Sequence, residues 1–178
     1  MKQLLILVMS IVSATCSQMN KDAPTEMTQN KAIKPLYANR VVRRFSDERQ
    51  KDTLSVAVNG ESILTGEVDL QITNHEGRLI YRDAFPANVL LNHTGLIRPE
   101  QDEKAVKKRI DDFFDTAHFT PPMVVNSGSL NTADSGKTAW KGIQVDPTTI
   151  CFSYRAGRRG LSQIAYSKDL QKVIALKR

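Results

Sequence analysis

Three arginines crowd a short glycine-bearing turn in the C-terminal part of the chain. The segment YRAGRRG contains Arg155, Arg158 and Arg159. A guanidinium forms paired hydrogen bonds with a carboxylate, sulfate or phosphate, and glycines let backbone N–H groups converge on the same anion. The sequence therefore predicts anion or ligand contacts at these three arginines. The alternative interpretation is that they only keep an exposed hairpin soluble.

The residue types that serve as catalysts or metal ligands show no functional spacing. The histidines are His75, His93 and His118, and none stands at the His-x-x-x-His or Glu-x-x-His spacing of helical metal ligands. The segment SGKT at positions 135–138 resembles the end of a phosphate-binding P-loop, but Asn131 stands where that loop requires an earlier glycine. We interpret it as a surface loop. The sequence thus predicts no catalytic residue, no bound metal and no cofactor.

The chain contains two cysteines, Cys16 and Cys151. Cys151 lies among strand-forming residues, where a cysteine is usually a small buried hydrophobe rather than a nucleophile. Cys16 lies at the end of the N-terminal apolar run. If Cys16 carries no lipid, a disulfide between the two cysteines stays open as an alternative, because the exported compartment would permit one.

The N-terminal segment has the pattern of a secretory signal peptide. Lys2 supplies a positive charge, an apolar run covers residues 4–12, and small residues follow up to Thr15. A signal of this kind has roughly seven to fifteen apolar residues, whereas a membrane span needs about twenty. We therefore predict a signal peptide over residues 1–15, which is removed from the mature protein.

Cys16 resembles the cysteine in the lipobox of bacterial lipoproteins, which becomes the acylated first residue of the mature chain. The box would here read Ser13-Ala14-Thr15-Cys16. The usual box has Leu at the position of Ser13 and Gly, Ala or Ser at that of Thr15, so ordinary cleavage before Thr15 stays open as an alternative. Lipidation is favoured because a cysteine at this boundary is otherwise hard to explain in a chain so poor in cysteine.

A polar linker follows the cysteine. Residues 17–35 contain two prolines and charges of both signs but no apolar period. Such a segment cannot bury enough apolar surface to offset its ordering entropy. The predicted organisation is therefore a lipidated N-terminus and disordered linker over residues 16–38, followed by a single domain over residues 39–178.

The basic charge of the chain does not point to nucleic acid. The net charge is +6, but the lysines and arginines are scattered, and aromatic residues make up only 6% of the chain. Sites for nucleic acid interleave aromatic and basic residues in a way that this sequence does not. We therefore predict no nucleic-acid partner. The charge is interpreted as solvated faces, with attraction to anionic envelope polymers or lipid headgroups as the alternative.

Apolar periodicity predicts an α+β domain. Alternation of apolar and polar residues predicts a strand around Leu54 and a hairpin over residues 67–85, and three runs over residues 149–176 predict an antiparallel meander. Between them the period becomes helical, with Pro99 at a first helical position. The predicted fold is mostly antiparallel β-sheet, in two hairpin or meander groups, with one amphipathic helix packed on one face.

The N-terminal Cys16, the polar linker and the C-terminal run ICFSYRAGRRGLSQIAYS together resemble the small lipoproteins of Bacteroides-type bacteria, among them the domain-of-unknown-function family numbered 4738. The resemblance implies an exported domain that is lipid-anchored in the cell envelope. The implied location is the outer membrane of a Gram-negative bacterium, on its periplasmic or surface face. The resemblance implies no established activity.

The leading functional hypothesis is a non-enzymatic binding or assembly module tethered to a membrane. Its partners would be the lipid bilayer, through the acylated N-terminus, and an anionic ligand or envelope protein. That partner would contact the arginine turn or a long polar loop predicted over residues 126–138. A small envelope hydrolase or metal-assisted enzyme is the alternative, and a cleft that gathers two histidines with an acid would favour it. An inhibitor that inserts the polar loop into an enzyme is a third hypothesis.

Overall fold

A computed structural model describes residues 34–91, 98–122, 134–156 and 160–177, with side chains for all of these except 134–137 and 177. The described residues belong to one structural unit, Ala32–Arg178. Cys16, Arg158 and Arg159 lie outside the described residues. Lipidation, the signal peptide, the linker and the arginine turn therefore stay predictions.

In the described part of the chain, the first sheet consists of four antiparallel strands in the order β1-β2-β3-β4. They are β1 (Tyr37–Arg43), β2 (Asp52–Asn59), β3 (Glu67–Thr73) and β4 (Leu79–Pro86). In β2, Leu54, Val56 and Val58 are fully buried and the residues between them are half-buried, because successive strand side chains point to opposite faces. The predicted strand and hairpin are confirmed, and β1 is a further strand in front of them.

The second sheet joins the C-terminal strands in the order β5-β6-β7-β8. They are β5 (Phe119–Thr120), β6 (Cys151–Arg155), β7 (Leu161–Ser167) and β8 (Lys172–Lys177). Each neighbouring pair is antiparallel. The predicted meander is therefore confirmed, with β5 as a short additional edge strand.

Helix α1 (Pro99–Asp111) lies against β1. Pro99 occupies its first turn, where a missing N–H costs nothing, and Ile110 is fully buried. The Asn39 side-chain amide donates hydrogen bonds to the carbonyl oxygens of Ile110 and Asp111, at 3.0 and 2.9 Å. These bonds add to the pairing of the carbonyls at the C-terminal end of the helix, where intrahelical partners run out. The predicted amphipathic helix is confirmed.

A second helix, α2 (Asp134–Val145), occupies part of the polar loop that the sequence predicts over residues 126–138. The loop prediction is wrong for residues 134–138. Ala139, Trp140 and Ile143 form a stripe that is buried against the second sheet, and this burial outweighs the weak helix propensity of the Ser-Gly segment before it. The Trp140 indole N–H has no hydrogen-bond partner in the described structure, so apolar packing holds the tryptophan.

The two faces of the second sheet pack against different partners. On β7, Ile164 and Tyr166 belong to the main core, which also contains the inward side chains of the first sheet and of α1. Ala165, between them, belongs to a smaller cluster under α2. The predicted α+β class is confirmed: two antiparallel sheets share one core with α1, and α2 covers the other face of the second sheet.

Candidate functional site

An open cleft of about 470 Å³ lies on the outward face of the first sheet. We name it the cationic cleft, and its lining consists of Arg40, Lys51, Thr53, Ser55, Thr73, Asn74, His75 and Gly77. Clefts of this size hold small molecules in other proteins. Two cationic side chains, three hydroxyls and one imidazole therefore converge on one solvent-facing space.

The register of the first sheet brings these polar side chains together. Arg40 on β1 stands opposite Ser55 on β2, and Thr53 on β2 stands opposite Thr73 on β3. All four point outward because their strand neighbours, such as Leu54, point into the core. The Arg40 guanidinium lies 3.4 Å from the Thr53 hydroxyl. The positive charge is thus held beside the hydroxyls.

The turn between β3 and β4 forms one wall of the cationic cleft. Asn74 is buried; its side-chain oxygen accepts the Arg78 N–H at 2.8 Å, and its carbonyl accepts the Gly77 N–H at 2.9 Å. Gly77 has a φ of +83°, which residues with a side chain rarely adopt. The turn is fixed by its own hydrogen bonds, and it holds His75 at the cleft.

The loop between β1 and β2 carries Lys51, and two aspartates fix its shape. Asp52 is fully buried and accepts hydrogen bonds from the Phe45 N–H at 3.1 Å and from the Ser46 hydroxyl at 2.9 Å. Asp47 accepts two backbone N–H groups of the same loop, and these bonds lower the pKa of its carboxyl. Lys51 is therefore presented from a loop with defined geometry.

Glu76 accepts a hydrogen bond from Asn74 and Asp47 interacts with His75 at the edge of the cationic cleft, but neither acid pairs with its two cations. Arg40 and Lys51 are exposed, and neither forms an ion pair with a described residue. The lining contains no carboxylate among the described residues. By contrast, Arg82 on the same face is paired with Asp69 at 2.9 Å. Arg40 and Lys51, by comparison, have no ion-pair partner among the described residues.

A second cleft of about 290 Å³ lies between the β1–β2 loop and the second sheet, and its lysine is already paired. The Lys168 ammonium lies 2.7 Å from a Glu48 carboxylate oxygen and 3.0 Å from one of Asp146. It also donates to the Thr148 hydroxyl at 2.9 Å. Hydrogen bonds from Thr148 and then from Lys168 hold the pKa of Asp146 well below its usual range. We name Lys168, Glu48, Asp146 and Thr148 the Lys168 clasp. Because its lysine is already paired with two carboxylates, the Lys168 clasp is better suited to joining loops than to binding a charged ligand.

A hydrogen-bonded chain of Tyr81, Tyr154 and Asp83 links the two sheets. The Tyr154 hydroxyl donates to an Asp83 carboxylate oxygen at 2.6 Å, and the two tyrosine hydroxyls lie 2.6 Å apart. Because the one Tyr154 proton goes to Asp83, Tyr81 is the donor between the tyrosines. Burial raises the pKa of Tyr81 to about 12, and burial together with the Asp83 hydrogen bond raises that of Tyr154. Both phenols stay protonated at neutral pH and act as donors, not as catalytic bases.

The other sequence-predicted residues are not brought together. Arg155 is exposed at the end of β6, and the other two arginines of the predicted turn lie outside the described residues. His118 donates its Nδ1–H to the Phe113 carbonyl at 2.9 Å, whereas His75 lines the cationic cleft. Cys151 is fully buried, as its position in a strand predicts, and burial raises its pKa to about 12.

The cationic cleft is not evident from the sequence alone. The alternation in β2 and β3 marks Thr53, Ser55 and Thr73 as outward-facing, but polar residues on a solvent face are expected in any antiparallel sheet. What the alternation does not reveal is that Arg40 stands beside them, because this depends on β1, a strand that the sequence does not predict. An arginine two or more residues inside an edge strand, followed by a hydroxyl-rich strand, is the signal that would indicate the cleft.

The described residues contain no group of three or more His, Cys, Asp or Glu side chains placed to hold a metal ion. Within the same residues, no helix has both the length and the apolar character needed to cross a membrane. Comparison of the chain with protein-family models, with curated proteins and with solved structures gives no match. The functional proposal for this chain therefore rests on the geometry of the cationic cleft.

Proposed function

We propose that this chain is a non-enzymatic binding module that holds an anionic ligand in the cationic cleft. The observation that carries the proposal is the combination of two cations without a described ion-pair partner, Arg40 and Lys51, with three hydroxyls and no carboxylate in the described lining. Hydrogen bonds from charged donors are stronger than neutral ones, so an anion gains most from such a surface. The proposed ligand site lies on the first sheet, and the arginine turn stays a separate prediction.

Binding is better supported than hydrolysis. A catalytic hydroxyl needs a base within hydrogen-bond reach. Among the described contacts of Thr53, Ser55 and Thr73, none joins a hydroxyl to a histidine or a carboxylate, and the Thr53 hydroxyl lies beside the Arg40 guanidinium instead. In this proposal the hydroxyls serve as donors to a bound anion.

We further propose that the module is exported and lipid-anchored through Cys16 at the cell envelope of a Gram-negative bacterium. The support comes from the sequence: an apolar run, small residues directly before Cys16, and a polar linker over residues 17–35. More than one acyl chain gives stable membrane attachment, where a single chain would be marginal. A linker of this composition would let the cleft meet its ligand at a distance from the bilayer.

Intact mass of the mature protein purified from membranes tests the anchor. We expect lipid mass on a chain that begins at Cys16, and we expect the Cys16→Ser variant to move to the soluble fraction. A native chain that begins at Thr15 and carries no lipid would contradict the anchor. The proposed cleft would be unaffected by that result.

Calorimetric titration of the mature protein with phosphate, sulfate and citrate tests the cleft. We expect saturable binding of at least one of them, and a loss of affinity of about tenfold or more in Arg40→Gln, because a charge-assisted hydrogen bond contributes about 1.5–3 kcal/mol. Lys104→Gln removes the same charge from an exposed position of α1 and is the control. No binding, or equal losses in both variants, would contradict the proposed site.

A further inference from the structure

We infer that the cationic cleft recognises the phosphate of a sugar phosphate, meaning a phosphate monoester on a polyhydroxylated ring. The inference rests on the proposed anion binding and narrows the ligand to one chemical class. The charge, the hydrogen-bond donors and the space of the cleft each point to this class.

The charge of the cleft matches a dianion. Arg40 and Lys51 reach the cleft from different elements, β1 and the end of the β1–β2 loop, and neither has an acidic partner among the described residues. A phosphate monoester carries a charge of about −1.5 to −2 at neutral pH, whereas a carboxylate or a sulfate ester carries a single negative charge. Two cations on different elements can each contact a different phosphate oxygen, which favours the more highly charged ligand.

The hydroxyls supply hydrogen bonds from several directions. Thr53 and Thr73 stand directly opposite each other, and Ser55 is the next outward residue along β2. Opposite residues in an antiparallel pair lie roughly 4.5–5.5 Å apart, so the three hydroxyls border one small space. The terminal oxygens of a phosphate point in different directions, while the two oxygens of a carboxylate lie in one plane. The arrangement therefore fits a tetrahedral group better than a planar one.

The cleft is much larger than a phosphate group. Its volume is about 470 Å³, whereas one water molecule accounts for about 30 Å³ of the liquid, and a phosphate has only five heavy atoms. Most of the space is left for whatever carries the phosphate. The space therefore accommodates an ester with a carrier of appreciable size.

The lining indicates the chemistry of the carrier. Its described residues include no aliphatic hydrophobic side chain and no ring other than the His75 imidazole. A nucleobase is usually held by stacking on aromatic side chains, and an acyl chain requires apolar contacts. A sugar fits instead, because the His75 imidazole can exchange hydrogen bonds with ring hydroxyls.

Calorimetric titration of the mature protein with matched glucose derivatives tests the inference. The probes are glucose 6-phosphate, glucose 6-sulfate, glucuronate, glucose and inorganic phosphate. We expect glucose 6-phosphate to bind about tenfold or more tightly than the sulfate ester and glucuronate, since one further charge-assisted hydrogen bond corresponds to at least that factor. We also expect it to bind more tightly than inorganic phosphate. A phosphorylated mannan carries mannose 6-phosphate on a polymer, so free mannose 6-phosphate is its matched probe. Tighter binding of the free ester identifies a soluble source and tighter binding of the mannan a polymer-borne one; either result supports the inference.

Variants separate the contributions of the two cations. Arg40→Gln and Lys51→Gln should each weaken glucose 6-phosphate binding about tenfold or more and remove the preference over the sulfate ester, while Lys104→Gln changes neither. Equal affinities for phosphate ester, sulfate ester and glucuronate, all weakened by Arg40→Gln, would overturn the phosphate assignment and leave anion binding intact. Inorganic phosphate that binds as tightly as the sugar ester would overturn the sugar carrier. Failure of every anion to bind would overturn both proposals.

Discussion

At the scale of single residues, the hydrogen-bonded group of Tyr81, Tyr154 and Asp83 is a polar contact between the two sheets. Tyr81 and Asp83 lie on β4, and Tyr154 lies on β6 with its ring 5.6 Å from that of Phe152 in the main core. Hydrogen bonds are stronger in such a poorly solvated place, and an unpaired member is correspondingly costly. These hydrogen bonds therefore constrain the position of β4 relative to β6 in addition to the apolar packing between them.

Tyr154→Phe should destabilise the protein more than Tyr81→Phe. The first variant leaves the Asp83 carboxylate without its donor, which costs about 1–3 kcal/mol for a poorly solvated acceptor. Tyr81→Phe removes only the hydrogen bond between the two tyrosines and keeps the bond from Tyr154 to Asp83. We therefore expect it to lower the free energy of unfolding by about 0.5–1.5 kcal/mol. Urea-induced unfolding measures both, and each variant retains its ring, so packing is matched. Equal effects would show that Asp83 does not depend on Tyr154.

The Cys151 thiol should not react with thiol reagents in the folded protein. It is fully buried under α2, and burial raises its pKa to about 12, so the reactive thiolate is scarce at neutral pH. The measurement is the rate of modification by dithionitrobenzoate in a Cys16→Ser variant, with and without denaturant. We expect reaction only upon unfolding. Fast modification of the folded protein would mean that α2 leaves the second sheet readily.

At the scale of the elements, Gly66 and Gly77 are required for two different reasons. A Cβ at Gly66 would lie 2.6 Å from the Asn59 carbonyl oxygen and 2.8 Å from that of Ser62, so backbone would have to move. A Cβ at Gly77 would meet nothing within 4 Å, but the φ of +83° is strained for other residues. The turn from β2 to β3 thus needs a small residue, and the turn from β3 to β4 needs a permissive one.

Gly66→Ala should lower the free energy of unfolding by about 3 kcal/mol or more, at the upper end of the effects of overpacking. Gly77→Ala should cost about 1 kcal/mol, which is the usual penalty for a left-handed conformation. Asparagine distinguishes the two causes because it tolerates left-handed backbone better than alanine does. Chemical denaturation should therefore show Gly77→Asn to be more stable than Gly77→Ala, and Gly66→Asn to be no better than Gly66→Ala. The opposite ranking would contradict this assignment of causes.

The elements that the sequence predicts are those whose signal is local. The alternation through Leu54, Val56 and Val58 records burial on one face, and α1 carries both its apolar stripe and Pro99 at its start. Neither needs a distant partner to be recognised. This is why the strands, the meander and the fold class could be inferred without a structure.

The elements that the sequence does not predict depend on distant partners. In β1, Asn39 and Arg43 occupy inward positions and break the apolar alternation, because Asn39 bonds to the end of α1 and Arg43 lies 4.3 Å from the centre of the Phe119 ring. Helix α2 is stabilised through the burial of Trp140 against the second sheet. The cationic cleft depends on a distant partner as well, because Arg40 joins it only through the pairing of β1 with β2.

At the scale of the whole molecule, the two sheets differ in how their outer faces are used. The second sheet is covered by α2 over Ala165 and Ile174, whereas the outer face of the first sheet carries the open cationic cleft. The outer face of the first sheet is open and carries charged and hydroxyl groups, whereas the second sheet is packed on both sides. The proposed ligand recognition would thus belong to one layer and structural support to the other. The proposed ligand site can therefore be altered by surface substitutions that leave the core intact.

The Lys168 clasp joins parts of the chain that are far apart in sequence, since Lys168 and Glu48 are 120 residues apart. It connects the β1–β2 loop of the first sheet with the segment after α2 and the turn after β7. Hydrogen bonds from Lys168 and Thr148 lower the pKa of Glu48, and those from Thr148 and Lys168 lower the pKa of Asp146. A carboxyl whose folded pKa is lowered stabilises the fold above its unfolded pKa, and this stabilisation is lost as the pH falls.

Lys168→Met should therefore lower the melting temperature by a small amount at neutral pH, and the difference from the parent should shrink below about pH 4, where unfolded carboxyls take up protons. High salt should shrink the difference as well, because the clasp is largely exposed. Lys108→Met is the matched control, since its pair with Asp112 at 2.9 Å joins the last turn of α1 to the residue directly after it and connects no distant elements. Thermal unfolding across pH compares the two variants. A larger loss in Lys108→Met, or a Lys168→Met difference that grows in acid, would show that the clasp does not hold the two sheets together.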